Sequence, residues 1–347
     1  MPLVGLGVFV LYIYLYNVDI PEIIATMQQI NISVYALATI ATVADVTFST
    51  LAWHSLLRHL RVKISFFKSM VFVWIGIYID TLIPAESISG DLSKIYLVNR
   101  EQEGTAGMAT ASLVAQRLIG MGLNVATLLV GASLLLIESL LFGIMLSLIM
   151  FLISVTLTFL VLILLLSRKE KWTLKIVDAV ISFVERVTRG RWKLGKVRVE
   201  AIEATVVFHA AIKDYAHAPT TLFVATSFSI ISWILSVTGF YFVFLSIGYP
   251  QISWSAILVI SAIFVAIKSV PIGVPFEIGL PEITLTFLLS LFGVPLLIGA
   301  TATILMRLLT LWMRFFIGFV AQQWLGIAAM ATTGSSNQPK PLESGKV

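Results

Sequence analysis

Between Glu138 and Arg168 the chain carries no charged residue. An apolar run of that length exceeds the roughly 20 residues that cross a bilayer as a helix. Comparable runs fall at about residues 33–57, 105–136, 219–247 and 296–328. In lipid, only helices and closed barrels satisfy all their backbone groups. The alternating ten-residue segments of a membrane barrel are absent. The expected fold is therefore an all-α polytopic membrane protein. Composition agrees, because only 12% of residues are charged, against about 25% in soluble domains.

A shorter apolar stretch, about 3–16, has no basic leader before it and no small-residue cleavage site after it. It reads as a short first span, which gives about six full transmembrane helices. Orientation follows from the basic residues. Arg58, Arg61, Lys63 and Lys68 form one cluster. Residues 168–216 hold 11 Lys/Arg against 6 Asp/Glu. Both regions, and with them the C-terminus, are expected on the cytoplasmic side of the cell membrane. The proposed outer segments hold Asp19, Glu22 and Glu138 and no Lys or Arg.

Two further apolar segments, about 69–83 and 252–268, are too short to cross. Pro84 follows the first, and a short helix is expected over about 88–102. The second leads into Pro271, Gly273, Pro275, Gly279 and Pro281, then a short helix over about 282–292. Each reads as a re-entrant helical hairpin. One kinked spanning helix is the alternative for the first, since Pro is common in membrane helices. The surrounding sequences match. Pro84-Ala-Glu86 is followed at Ala109 by A-T-A-S, and Pro275-Phe-Glu277 is followed at Ala300 by A-T-A-T. Under the expected orientation one hairpin enters from the cytoplasm and the other from outside. That is an inverted repeat, whose broken segments mark the transport site in many secondary transporters.

The domain reading is one transmembrane domain, 1–330. Its first repeat covers about 33–167 and its second about 219–328. A cytoplasmic connector, 168–216, joins them, and a disordered polar tail covers 331–347. In the connector, Trp172, Ile176, Val180 and Val184 recur at helical spacing. This fits an amphipathic helix on anionic headgroups or a docking face for a partner enzyme.

Ionisable residues inside such a chain are costly and tend to mark function. Arg117 and Arg307 each fall near mid-depth of a long helix. Glu86 and Asp91 lie at one hairpin tip, Glu277 and Glu282 at the other. Each Arg needs an anionic partner. Two readings stay open: the Arg pairs with the acids of its own repeat and pins the hairpin, or it meets an anionic headgroup during transport. Lys268 is placed to neutralise Glu277 or Glu282, or to line the path. Asp45, Asp80, Asn124 and Arg314 are secondary candidates. There is no cysteine, and the four His lack ligand spacing. No nucleophile–base pair is visible, so neither an enzyme nor a metal or cofactor site is expected.

At these residues the chain resembles the lysylphosphatidylglycerol synthase transmembrane-region family, the flippase-like integral membrane proteins. The matching positions are Pro84, Gly90, Asp91, Lys94 and Arg117, then Gly279, Glu282, Gly293-Val294-Pro295 and Arg307. The resemblance covers about residues 30–328 and adds Lys94 to the site. Only about 19 residues follow the last expected helix, so a soluble aminoacyltransferase domain is not expected. What the resemblance implies is the membrane half alone: movement of an anionic or polyprenyl-phosphate-linked lipid between leaflets. The alternatives are a secondary transporter of a small anionic solute and a non-transporting membrane partner of a lipid-modifying or glycosyltransferase enzyme. Membrane lipids are the expected partners, and nucleic acid is not.

Overall fold

The computed structural model describes residues 20–83, 88–139, 143–187, 195–268 and 279–336. These residues are almost entirely helical, with no strand among them. The helices are α1 (Ile20–Gln28), α2 (Ile32–His59), α3 (Phe66–Leu82), α4 (Ile88–Glu101), α5 (Ala106–Ile137), α6 (Gly143–Arg168) and α7 (Glu170–Val187). Next come α8 (Gly195–Ala216), α9 (Pro219–Ser246), α10 (Trp254–Lys268), α11 (Leu280–Leu291) and α12 (Leu296–Arg307). A π-helical segment, Leu308–Met313, joins α12 to α13 (Arg314–Ser336).

Among the described residues, five helices are long and apolar enough to cross a membrane: Ile32–His59, Ala106–Ile137, Met145–Arg168, Pro219–Ser246 and the composite Leu296–Ile327. The protein is thus a multi-pass, all-helical membrane protein. The expected span at 3–16 lies outside the described residues. Helix α13 extends to Ser336, beyond Thr332 where the polar tail begins.

Local sequence sets several helix starts. Asn31 Oδ1 accepts from Val34 N at 3.2 Å and opens α2. Ser65 Oγ accepts from Lys68 N at 3.3 Å and opens α3. Both satisfy a backbone N–H that a helix start leaves without a partner.

Helices α2 and α9 form the central antiparallel pair. Asn31 N donates to Ser246 O at one end, and Thr221 Oγ1 lies 3.1 Å from His59 Nδ1 at the other. Gly239 faces Ala41 where they cross, and a Cβ there would make an ordinary contact at 3.5 Å. Helix α3 runs antiparallel to α4, from Lys68–Glu101 at one end to Asp80–Gly90 at the other. The first short segment is therefore a pair of helices folded back on each other, not one kinked helix. Helix α3 also packs on α13, where Tyr78 and Phe315 rings lie 5.1 Å apart and Phe67 and Trp324 rings 5.4 Å apart. In the same way α10 packs on α5, through Asn124 and Ala262 and through Glu138 and Ser255.

Two apolar cores hold this arrangement. One is built on Leu128, Phe244, Ile257 and Leu289. The other is built on Trp53, Leu56, Phe72 and Val98. Helix α8 seats on the second core: Tyr215 Oη donates to Leu56 O at 3.0 Å. Burial pushes the Tyr215 phenol up, so it stays a donor. Helix α7 is amphipathic, as its spacing predicts. Trp172, Ile176, Val180, Phe183 and Val187 form an exposed stripe along it.

Candidate functional site

Asp91 stands in the first turn of α4, where a helix N-terminus favours negative charge. It also meets two cations. Lys94 Nζ lies 2.7 Å from Oδ1, and Arg117 Nη2 lies 2.8 Å from Oδ2. Antiparallel packing of α4 on α5 brings Arg117 there. The turn between them is fixed by Asn99 Oδ1, which accepts from Thr105 N and Ala106 N, both at 3.1 Å. Lys94 also sits over the Trp53 ring, 5.8 Å from its centroid, within cation–π range. One carboxylate is shared by two cations, and Asp80 lies within electrostatic reach of Lys94. The group is partly open, with the Arg117 side chain 39% exposed.

The second copy is built alike but closed. Glu282 stands in the first turn of α11. Its Oε2 accepts from Gly279 N at 2.7 Å, and its Oε1 accepts from Arg307 Nε at 2.6 Å. Gly279 holds φ at +102°, a backbone conformation that favours glycine. Helix α11 lies antiparallel to α12, with Thr286 and Thr303 hydroxyls 3.2 Å apart one turn further along. Arg307 and Glu282 side chains are only 5% and 6% exposed. Each Arg thus pairs with an acid that precedes it in the chain, Arg117 with Asp91 and Arg307 with Glu282.

Glu86 and Glu277 lie outside the described residues, as does the side chain of Lys268 at the end of α10. Among the secondary candidates, Asp80 accepts from Ser89 Oγ at 2.7 Å and Gly90 N at 2.6 Å, and so ties α3 to the start of α4. Asp45 and Arg314 pair with each other at 2.8 Å. Sequence reasoning did not join them, nor did it single out Gln116 or Ser232, which lie close by. Gln116 Nε2 donates to Ser49 O at 2.9 Å, and Ser232 Oγ donates to Asp45 at 2.5 Å. The available signal was the serine pattern of α9: Ser229, Ser232 and Ser236 share one helical face. These residues line a cavity of about 250 Å³ between α2, α5, α9 and α10. No group of three or more metal-ligating side chains occurs among the described residues.

The sequence model of the lysylphosphatidylglycerol synthase TM region matches residues 3–318. The chain belongs to that family. It is also similar to the UPF0104 membrane protein PH1989 of Pyrococcus horikoshii. The two are 23% identical over 323 residues, which is 91% of this chain and 94% of that one. No solved structure matches.

Proposed function

We propose that the protein moves an anionic lipid between leaflets, and that Arg117, Lys94 and Asp91 form the site for its headgroup. The observation that carries this is the sharing of one carboxylate: Lys94 and Arg117 both pair with Asp91, and the Arg117 side chain is 39% exposed. Arg117 lies about 11 residues past the start of α5, ~17 Å along it. Arg307 lies equally far past the start of α12, also ~17 Å. In a hydrocarbon core about 30 Å thick both would sit near the middle. A partly exposed cation at that depth suits an anion that passes through.

The inverted-repeat reading draws support from the packing. In each copy, the first turn of the second short helix meets the Arg of the next helix. The first short helix of each copy packs on the Arg-bearing span of the other: α3 on the span that α12 and α13 form, and α10 on α5. In this reading α3–α4 and α10–α11 are re-entrant, entering from opposite faces, with α7 and α8 on the cytoplasmic side of the cell membrane. A lipid cargo is favoured because the family description names a lipid synthase's membrane region. The protein itself then carries cargo and does no bond chemistry.

The test is reconstitution of the full chain into liposomes holding a leaflet-labelled anionic lipid. Arg117→Ala is expected to slow transfer by about tenfold or more, since charge-assisted hydrogen bonds are worth ~1.5–3 kcal/mol. Arg117→Lys should retain part of the rate. An unchanged rate in Arg117→Ala and in Lys94→Gln would refute the headgroup site.

A further inference from the structure

The cavity between α2, α5, α9 and α10 has a chemistry different from that of the cation cluster. It lies at mid-length of both central helices: Asp45 and Ser232 are each about 13 residues from their helix start, ~20 Å along. Asp45 is the one charged residue among those lining it. Its two oxygens are taken, one by Ser232 Oγ and one by Arg314 Nη2. The pocket therefore offers no net charge to a ligand, and a phosphate finds no cation among the residues lining it.

It does offer neutral polar groups. Gln116 spends its amide hydrogens on Ser49, and its Oε1 has no donor among the described residues. Asn124 Nδ2 donates to Ala262 O at 3.1 Å, while its buried Oδ1 lacks a donor among them. The Ser236 hydroxyl makes no hydrogen bond among the described residues and lines the same wall. Trp233, beside Ser232, adds a flat apolar surface. Polar groups left without partners at membrane depth are costly. Here acceptors and hydroxyls stand beside an aromatic face, the combination that fits a sugar: hydroxyls on the edge, C–H groups on the face. A volume of about 250 Å³ falls just under the ~300–1,000 Å³ of drug-sized pockets. It has room for one ring.

We propose that this cavity binds a single neutral sugar, carried on the lipid whose anionic phosphate meets Arg117 and Lys94. Gln116 and Arg117 are consecutive in α5, so the sugar pocket and the cation cluster lie at one depth on neighbouring helix faces, ~100° apart. The lipid part of this inference rests on the translocation reading. The sugar site itself does not.

Two measurements separate them. In the first, methyl glucoside is titrated into the purified full chain while tryptophan fluorescence is followed, with Trp233→Phe as the control. A saturable change is expected, absent in Trp233→Phe. Ser229→Val/Ser236→Val should weaken it about tenfold, the loss of one or two hydrogen bonds. Ser236→Ala alone, which removes a hydroxyl without a partner, should weaken it without disturbing the fold. No saturable change in the wild type, or one indifferent to all these serine changes, overturns the sugar site. So does a stronger response to glycerol 3-phosphate. In the second, liposomes compare a hexosyl polyprenyl phosphate, the bare polyprenyl phosphate and free glucose. Faster transfer of the hexosyl lipid, with its preference over the bare lipid cut about tenfold in Ser229→Val/Ser236→Val, supports the full proposal. Uptake of free glucose with no lipid transfer keeps the sugar site and overturns the lipid reading.

Discussion

Arg314 donates to Asp45 at 2.8 Å, and this pair binds the last long helix to the first described one. Ser232 completes the contact from α9. A single carboxylate thus joins three helices at the depth of the polar cavity. With Asp45 and Arg314 side chains 14% and 23% exposed, the charges are substantially withdrawn from their surroundings.

Removing one partner should therefore cost more than removing both. Asp45→Leu or Arg314→Met alone leaves a buried charge uncompensated, a loss of ~3–5 kcal/mol. The double replacement is expected to recover most of that. Thermal unfolding of the four proteins in detergent reads the difference. Additive losses would show that the pair is not coupled.

The two Arg–acid pairs should separate in their effects. Arg307 and Glu282 are closed in, so Arg307→Ala should lower the unfolding temperature sharply, again by ~3–5 kcal/mol of stability. Arg117→Ala opens a partly exposed cluster and should leave the protein folded while transfer slows. Melting and transfer assays run side by side test this. Equal destabilisation by the two replacements would contradict it.

Gly90 packs where no side chain fits. A Cβ there would overlap Asp80 Oδ2 and stand 2.5 Å from Gly76 O. Gly90→Ala should force α4 off α3 and cost ~1–3 kcal/mol, as overpacking does. Cross-linking of a cysteine pair placed at Lys68 and Glu101 would follow the separation: its yield should fall in Gly90→Ala and hold in Gly120→Ala, where a Cβ meets open space.

The exposed stripe of α7 should rest on the bilayer surface. A variant retaining Trp172 as its only tryptophan should be quenched by lipids brominated high on the acyl chain. Phe183→Asp should weaken the quenching. Quenching that is absent, or equal in both, would place the stripe against something other than lipid.

Much of this was legible in the chain itself. Apolar run lengths located the five spans. The arginines and the acids at the two tips stood out in the sequence as charges in apolar surroundings, but which acid each Arg meets did not, because Glu86 and Glu277 lie as near in the chain as Asp91 and Glu282. The Asp45–Arg314 contact could not, because nothing local links residues that come together only when α13 crosses α2. Gln116 and the serines of α9 were hidden for another reason. Each is unremarkable singly, and their meaning comes from four helices converging on one space. The π segment is a matter of backbone hydrogen-bond register, to which side-chain type gives little clue.

That segment separates the two arginines of the final span. It holds one residue more than the same stretch of α-helix would need, a feature often found at functional sites. Because of it, Arg307 and Arg314 reach acids on two different helices, α11 and α2. If Leu308–Met313 tightened to α, everything beyond would turn by ~100° about the axis. Arg314 would swing off Asp45 while Arg307 kept its grip on Glu282. A change of register within Leu308–Met313 would thus turn one half of the final span against the other.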